Sequence, residues 1–456
     1  MRSHKGFSKS LRLYEEALKY IPAGVSSNAR LWANPFVCSF AACTIFIERA
    51  FGSHIWDVDG NEYIDYRLAF GPVILGHSYP AVHRAVHKAD EKGTVYGLDN
   101  ELEVKLAKLL CRVVPNAEMT RFANSGTEAT MHALRIARGY TKKEKVIKFE
   151  GHYHGAHDYL LFSTQHMPFT ANIGKPHPQS LGIPEAIKKL VITERWNDFE
   201  RIEKTVKKNH RHTAAVITEP VMGNAAAIPP KPGYLKHLKE LCEKYDLLLI
   251  FDEVKTGFRL AMGGAQEKFK IKPHLATFSK SMGNGYPIAA ITGIRDVMEI
   301  IGKGPGHVVH GGTFAGNPVS MAASIATIEE LRKRKVFNHI NNYGSKLMRG
   351  LGDIFEKGKI SAIIQGYPGM FMYVPTKKKE ITNYRDLGAC DVNLCGRLQY
   401  ELLLRGIMIE EDFEEPMYTC FSHSKKDLQK TLATFEEAMK AAKIPRSAVK
   451  AARFRK

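Results

Sequence analysis

The chain has 456 residues, 44% hydrophobic and 25% charged, with a formal net charge of +19. That length exceeds what one hydrophobic core usually organises, so more than one domain is expected, and the composition is that of a globular chain rather than a disordered one. No apolar run reaches the ~18 to 20 residues that span a bilayer, so no membrane partner is expected.

The start, Met1-Arg-Ser-His-Lys-Gly-Phe, carries positive charge with no apolar stretch behind it. It does not read as a secretory signal, and a cytoplasmic location is expected. Seven cysteines (Cys38, Cys43, Cys111, Cys242, Cys390, Cys395 and Cys420) are odd in number and lack a Cys-x-x-Cys pair. Reduced thiols are expected rather than disulfides or metal ligands. The positive charge is spread over clusters such as Arg332-Lys-Arg-Lys335, without interleaved aromatic residues or a known module. A solvated basic surface follows, and nucleic acid is not an expected partner.

In chain order, residues 8 to 20 predict an amphipathic helix with Leu11, Tyr14, Ala17 and Leu18 on one side, ended by Pro22-Ala-Gly24. Arg30, in the polar loop that follows, either clamps a carboxylate bidentately or is a surface arginine. Ile55 to Tyr66 predicts two alternating strands about Asp59-Gly60, a hairpin signal. Helices are expected over Pro80 to Lys92 and Asn100 to Val114. Asn124-Ser-Gly-Thr127 is a small-residue turn opening a helix from Thr127 to Tyr140. Its free amides and hydroxyls suit an anion, and they equally suit a plain helix cap.

The strand Val146 to Phe149 delivers His152, Tyr153, His154 and His157. Their close spacing invites a zinc reading, but no helical His-Glu-x-x-His pattern occurs, and the glycines suit backbone approach to a flat ligand better. Further strands are expected at Ala214 to Glu219, Leu247 to Phe251, Leu275 to Phe278 and Ile288 to Ile294. With helices between several of them, the class is α/β with a mostly parallel sheet. After about residue 330 the pattern changes to a smaller α+β unit, with a strand near 369 to 374 and helices near 392 to 404 and 425 to 442. The expected division is an amino-terminal helix and hairpin (1–70), a large α/β domain (71–325) and a small carboxyl-terminal domain (326–456).

Two residues carry the chemistry. Asp252 falls at the carboxyl end of an apolar strand, where open α/β sheets place ligands. Lys280 follows 28 positions later among small residues, between two apolar segments. A buried lysine that loses its charge becomes an amine nucleophile for a carbonyl. A carboxylate to keep a pyridine nitrogen protonated and a lysine to hold an aldehyde are the pair that pyridoxal phosphate chemistry requires.

Asn124-Ser-Gly-Thr127, Tyr153-His-Gly155, Glu219-Pro220, Asp252-Glu-Val254, Thr256-Gly-Phe-Arg259, Ser279-Lys280 and Gly312-Thr313-Phe-Ala-Gly-Asn-Pro318 occur in one order. In this the chain resembles the class III aminotransferases of fold type I, from about residue 10 to 440. The resemblance implies pyridoxal 5'-phosphate, with pyridoxamine 5'-phosphate as its alternate form, and a homodimer with a shared site.

It also implies roles for residues. Lys280 would carry the cofactor and shuttle a proton, and Asp252 would pair with the pyridinium. Val254 and Tyr153 would cover the two ring faces, with His154 beside Tyr153. Ser125, Gly126 and Thr127 would hold the phosphate together with a partner subunit's Thr313. Asn224 would lie near the phenolic oxygen, supported by Glu219. Ser27, Arg30, Phe70 and Glu414 would meet the substrate, a small amino acid.

Asparagine at 224, where relatives using 2-oxoglutarate carry glutamate, favours the aminomutase branch of the family over two-substrate transaminases. Departures from that branch are Phe70 in place of tryptophan, Gly283-Asn284-Gly285 in place of three glycines, and a longer stretch from Phe162 to Ala186. The long stretch questions intramolecular exchange. The rivals are a two-substrate transaminase acting on a β-amino acid, an amino sugar or another amine donor, and a non-catalytic basic protein on the same fold, which would need neither Lys280 nor Asp252. A metal hydrolase built on His152, His154 and His157 is the most remote rival.

Overall fold

A computed structural model describes residues 6–32, 44–165 and 167–443. Its centre is a seven-stranded sheet in the order Met119–Ala123, Ala289–Gly293, Leu275–Phe278, Leu248–Asp252, Thr213–Thr218, Lys145–Phe149, Val191–Glu194. The strands Thr213–Thr218 and Leu248–Asp252 are buried at every position, as expected where helices cover both faces of a parallel sheet. Ala289–Gly293 runs against the other six strands of this sheet. The link from Ser279 to Ile288 is too short for the crossover that a parallel pair needs.

Two strands of this sheet escaped the sequence reading. Met119–Ala123 is an edge strand with a half-exposed start, and Val191–Glu194 has only four residues. Neither carries enough alternation to stand out from a loop.

The helix Gly126–Thr141 lies against the sheet, and the buried Pro318–Leu331 packs on Pro80–Asp90 and Glu101–Val113. Ser125 caps Gly126–Thr141 by accepting from the Glu128 amide at 3.2 Å, and Asn100 caps Glu101–Val113 in the same way. Each satisfies an amide that the first turn leaves without a partner.

The expected hairpin forms between His54–Asp57 and Glu62–Asp65, with Ile55 opposite Tyr63. It belongs to a four-stranded sheet that adds Ile47–Phe51 on one side and the distant Ile407–Met408 on the other. The amino-terminal helix is Ser8–Ala17, shorter than expected, and Asp59 of the hairpin accepts from the Lys9 and Ser10 amides at its start.

A three-stranded sheet of Ala362–Tyr367, Met370–Pro375 and Met417–Tyr418 packs with helices Val392–Leu404 and Lys425–Lys443. The longest helix, Arg334–Lys357, was not anticipated. Its buried stripe (Val336, Ile340, Tyr343, Leu347, Leu351) has helical spacing, but it opens inside a basic run.

Two local features position the site. Arg259 is buried and donates to the carbonyls of Gly369 (2.9 Å), Thr419 (3.0 Å) and Gly71 (2.5 Å). It thereby ties the loop bearing Phe70 to the carboxyl-terminal strands. Asn284 takes a left-handed conformation (φ 46°), which asparagine tolerates better than most residues. Its amide accepts from Leu75 N at 2.9 Å and donates to Gly76 O at 3.1 Å, so the departure from glycine brings two anchoring bonds. Cys38 and Cys43 lie outside the described residues, and the other five cysteines are free thiols. Among the described residues no helix is long and apolar enough to cross a membrane.

Candidate active site

A cavity of about 150 Å³ opens at the carboxyl ends of the central strands. Its lining includes Gly126, Thr127, Tyr153, His154, Glu219, Asn224, Asp252, Val254 and Lys280. These are nine of the expected residues, drawn from five separate stretches of chain.

Lys280 follows directly on the strand Leu275–Phe278 and its Ser279, at a left-handed φ of 44°. Non-glycine residues rarely adopt this conformation, which costs of order 1 kcal/mol or more and concentrates at functional sites. The turn is held because Ser279 Oγ donates to Ile288 O at 2.6 Å and Ser281 Oγ to Gly71 O at 3.1 Å. Lys280 Nζ donates to the Phe70 carbonyl at 3.0 Å. Burial pulls its pKa down to about 7, and the nearby Lys255 ammonium adds to the fall, against the opposing pull of Glu415, Glu219 and Asp252. Near neutral pH a large fraction of Lys280 is therefore the free amine that attack on a carbonyl needs.

Asp252 is 3% exposed. Its Oδ1 accepts from Thr277 Oγ1 (3.0 Å) and Val254 N (3.1 Å), and its Oδ2 accepts from His154 Nδ1 (2.7 Å). Facing a carboxylate, His154 must carry its proton on Nδ1. Burial lowers the pKa of His154, and its Nε2 is buried without a partner. Val254 lies two residues beyond Asp252 on the cavity wall.

Glu219 accepts from the amides of Tyr153 (2.8 Å) and Gly223 (2.9 Å), which fixes the Tyr153 backbone. Burial raises its pKa to about 7, with the Asp252 charge adding to the rise. Asn224 accepts at Oδ1 from Lys255 Nζ at 2.7 Å. Lys255, which the sequence reading passed over, is buried in the same wall and paired with Glu415 at 2.6 Å.

The substrate-pocket acid was expected at Glu414, and neither it nor Glu415 lines this cavity. Glu414 turns to the Tyr384 hydroxyl at 3.1 Å, whereas Glu415 faces Lys255 and bears on Lys280. The two successive side chains thus meet different partners, which the acidic run from Glu410 to Glu415 does not disclose in sequence.

The helix start at Gly126 and the glycine turns beside it border the cavity. The first-turn amides of Gly126 and Thr127 have no intrahelical acceptors. A Cβ at Gly126 would come within 3.0 Å of Val254, and one at Gly155 within 2.7 Å of the Thr127 backbone. The glycines thus keep space that side chains would fill. Ser125 serves as the helix cap and does not line the cavity, although its hydroxyl proton remains free to donate. Thr313 is exposed on its loop and does not line the cavity of its own chain.

Arg30 lines a second cavity of about 320 Å³ with Trp32, Asp65, Arg67, Phe70 and His77. Phe70 lines this second cavity, its carbonyl accepts from Lys280 of the first, and its ring lies 4.4 Å from the Arg67 guanidinium. Arg67, also missed, pairs with Glu410. Ser27 is exposed and borders neither cavity.

The three histidines do not converge. His152 accepts from Glu219 N and packs on Trp196, His154 serves Asp252, and His157 meets Thr130. Among the described residues no group of three metal-ligating side chains occurs.

These residues fit pyridoxal phosphate. An amine with a lowered pKa, a fixed buried carboxylate, a tyrosine and a valine flanking the space, and free helix amides at a glycine turn border one cavity.

Residues 39–439 match the family described as Aminotransferase class-III. The chain is 41% identical over 432 residues to a glutamate-1-semialdehyde 2,1-aminomutase from Ignicoccus hospitalis, covering 95% of this chain and 99% of the relative. It is 42% identical over 429 residues to the enzyme of that name from Methanocaldococcus jannaschii, covering 94% and 97%. The crystal structure of an omega-transaminase from Sphaerobacter thermophilus superposes with a TM-score of 0.89 at 28% identity, covering 95% and 97%. The chain belongs to the class III aminotransferases, and it is a pyridoxal-phosphate-dependent enzyme.

Proposed function

We propose that this enzyme is a glutamate-1-semialdehyde 2,1-aminomutase, moving the amino group of one substrate molecule to its adjacent carbon. The observation that carries the reading is Asn224 in the wall beside Lys280 and Asp252, together with relatives of that name over nearly the whole chain. Pyridoxal phosphate supplies an electrophilic aldehyde and a ring that accepts the electron pair when a bond at the substrate's amino-bearing carbon breaks.

The chain's residues do the rest. Lys280, its pKa lowered to about 7, takes and returns the proton at that carbon. Asp252, held by Thr277, Val254 and His154, offers the anion that keeps a pyridine nitrogen protonated. Gly126 and Thr127, with Ser125 behind them, hold the phosphate, and Tyr153 and Val254 shield the ring from water. Arg30, across Phe70 from Lys280, receives the substrate carboxylate, with Arg67 as a second cation in that cavity.

A cytoplasmic homodimer is the working form. Tyr96, Leu98 and Phe314 are 44%, 85% and 59% exposed, an apolar display that a second copy would cover, and Thr313 would then serve the partner's phosphate.

The test is incubation with glutamate-1-semialdehyde and no oxo acid. The expected result is 5-aminolevulinate, which is an isomer of the substrate and needs no second reactant. Turnover only with an amine donor plus a 2-oxo acid would make it a two-substrate transaminase, the reading that the likeness to the omega-transaminase favours.

A further inference from the structure

The cavity wall holds a second buried lysine that the chemistry above does not employ. Lys255 is 5% exposed. Its ammonium donates to both Glu415 oxygens (2.6 and 2.7 Å), to the Gly223 carbonyl (2.8 Å) and to Asn224 Oδ1 (2.7 Å). Glu415 is 7% exposed and also accepts from the Tyr418 hydroxyl at 2.7 Å. Burying such a pair costs desolvation that mutual attraction often fails to recover. Stability therefore does not account for its place on the wall.

Its effect on Asn224 follows from donor and acceptor inventory. An ammonium has three donors and no acceptor, so a carboxamide in contact with it must present its oxygen. The Asn224 NH2 group is thereby turned the other way, and it meets no acceptor among the described residues. An asparagine without this neighbour could rotate by half a turn and present its oxygen instead.

We propose that Lys255 and Glu415 are a positioning pair, holding the Asn224 carboxamide as a fixed donor toward the anionic ring oxygen of pyridoxal phosphate. The proposal rests on the cofactor reading above. Glu415 anchors Lys255 and supplies the countercharge, Lys255 orients Asn224, and the Asn224 carboxamide is the group that donates to the ring oxygen.

The test uses the full chain freed of cofactor and titrated, by absorbance, with pyridoxal phosphate and with its 3-deoxy analogue, which lacks the ring oxygen. The double variant Lys255→Met/Glu415→Gln leaves no unpaired charge behind. It is expected to bind pyridoxal phosphate about tenfold more weakly, one lost hydrogen bond to a charged group, while binding the deoxy analogue as the wild type does. Asn224→Ala is expected to show the same selective loss, and adding the double substitution to it should cost nothing further. Equal losses for both ligands, or no loss for pyridoxal phosphate, overturn the proposal. Should the double variant not fold by circular dichroism, Asn224→Asp decides. It can satisfy Lys255 but has no donor, so it must lose pyridoxal phosphate selectively, and unchanged binding of both ligands refutes the idea. A wild-type protein that binds neither ligand refutes the cofactor reading itself.

Discussion

Replacing Lys280 by methionine removes a charge from the cavity at nearly constant volume, and the consequence can be worked from the structure. The lysine has an ordinary pKa of 10.5, lowered to about 7 in the folded chain. Between those values the unfolded chain binds more protons than the folded one, so stability rises with pH across the window and is lowest below it. At ~1.4 kcal/mol per pKa unit the whole shift amounts to about 5 kcal/mol. Integrated from about pH 7 to about pH 9, it is about 2 kcal/mol. Wild-type protein without cofactor should gain that much over this interval relative to Lys280→Met, which should be the more stable of the two at pH 7.

The assay is urea denaturation of both proteins at three pH values, read by circular dichroism. Taking the difference between the two proteins removes the titrations they share, such as those of Glu219 and Glu253. A difference independent of pH would refute the claim that Lys280 is held as a free amine by burial.

Asp252→Asn keeps the shape of the carboxylate but not its charge. It should lower turnover by about 10²-fold or more, a typical loss for one preorganised electrostatic contact, while cofactor absorbance shows the site still filled; near-wild-type turnover would contradict the assigned role. Gly155 has φ 94°, and a methyl there would press on Thr127. Gly155→Ala should therefore cost about 1 to 3 kcal/mol in thermal denaturation and weaken pyridoxal phosphate binding as Thr127 is displaced. Arg259→Lys cannot reach three carbonyls from one ammonium as a planar fork does, and should cost about 2 to 4 kcal/mol; an unchanged denaturation midpoint would show that this tie is dispensable.

Whatever depends on neighbours in the chain was legible beforehand. Strand alternation and apolar runs located five of the seven central strands. The same logic put Asp252 at a strand end, with Val254 two residues further on the same wall. The Gly126 turn and its helix followed from capping chemistry, and the hairpin from Asp59-Gly60. Several amphipathic helices followed from their period, but Phe199–Asn209, Tyr234–Lys244 and Arg334–Lys357 were not placed, the last because its stripe starts within a run of cations. Edge strands such as Val191–Glu194 were invisible because pairing, not side-chain pattern, makes them strands.

The class of chemistry was readable from neighbours in the chain, because a lysine between two apolar segments and a carboxylate closing an apolar strand are local facts. Tertiary structure alone decided which groups surround them. Lys255 and Glu415 stand 160 residues apart and have meaning only as a pair. That Glu415 meets Lys255 while Glu414 meets Tyr384 turns on side-chain directions in an irregular loop. Arg30 and Lys280 border different cavities, and the link between them is the Phe70 carbonyl, which accepts from Lys280 while Phe70 lines the cavity of Arg30. Distance in space, burial and the pKa shifts they cause arise from packing, and packing is a property of the whole chain rather than of any stretch of it.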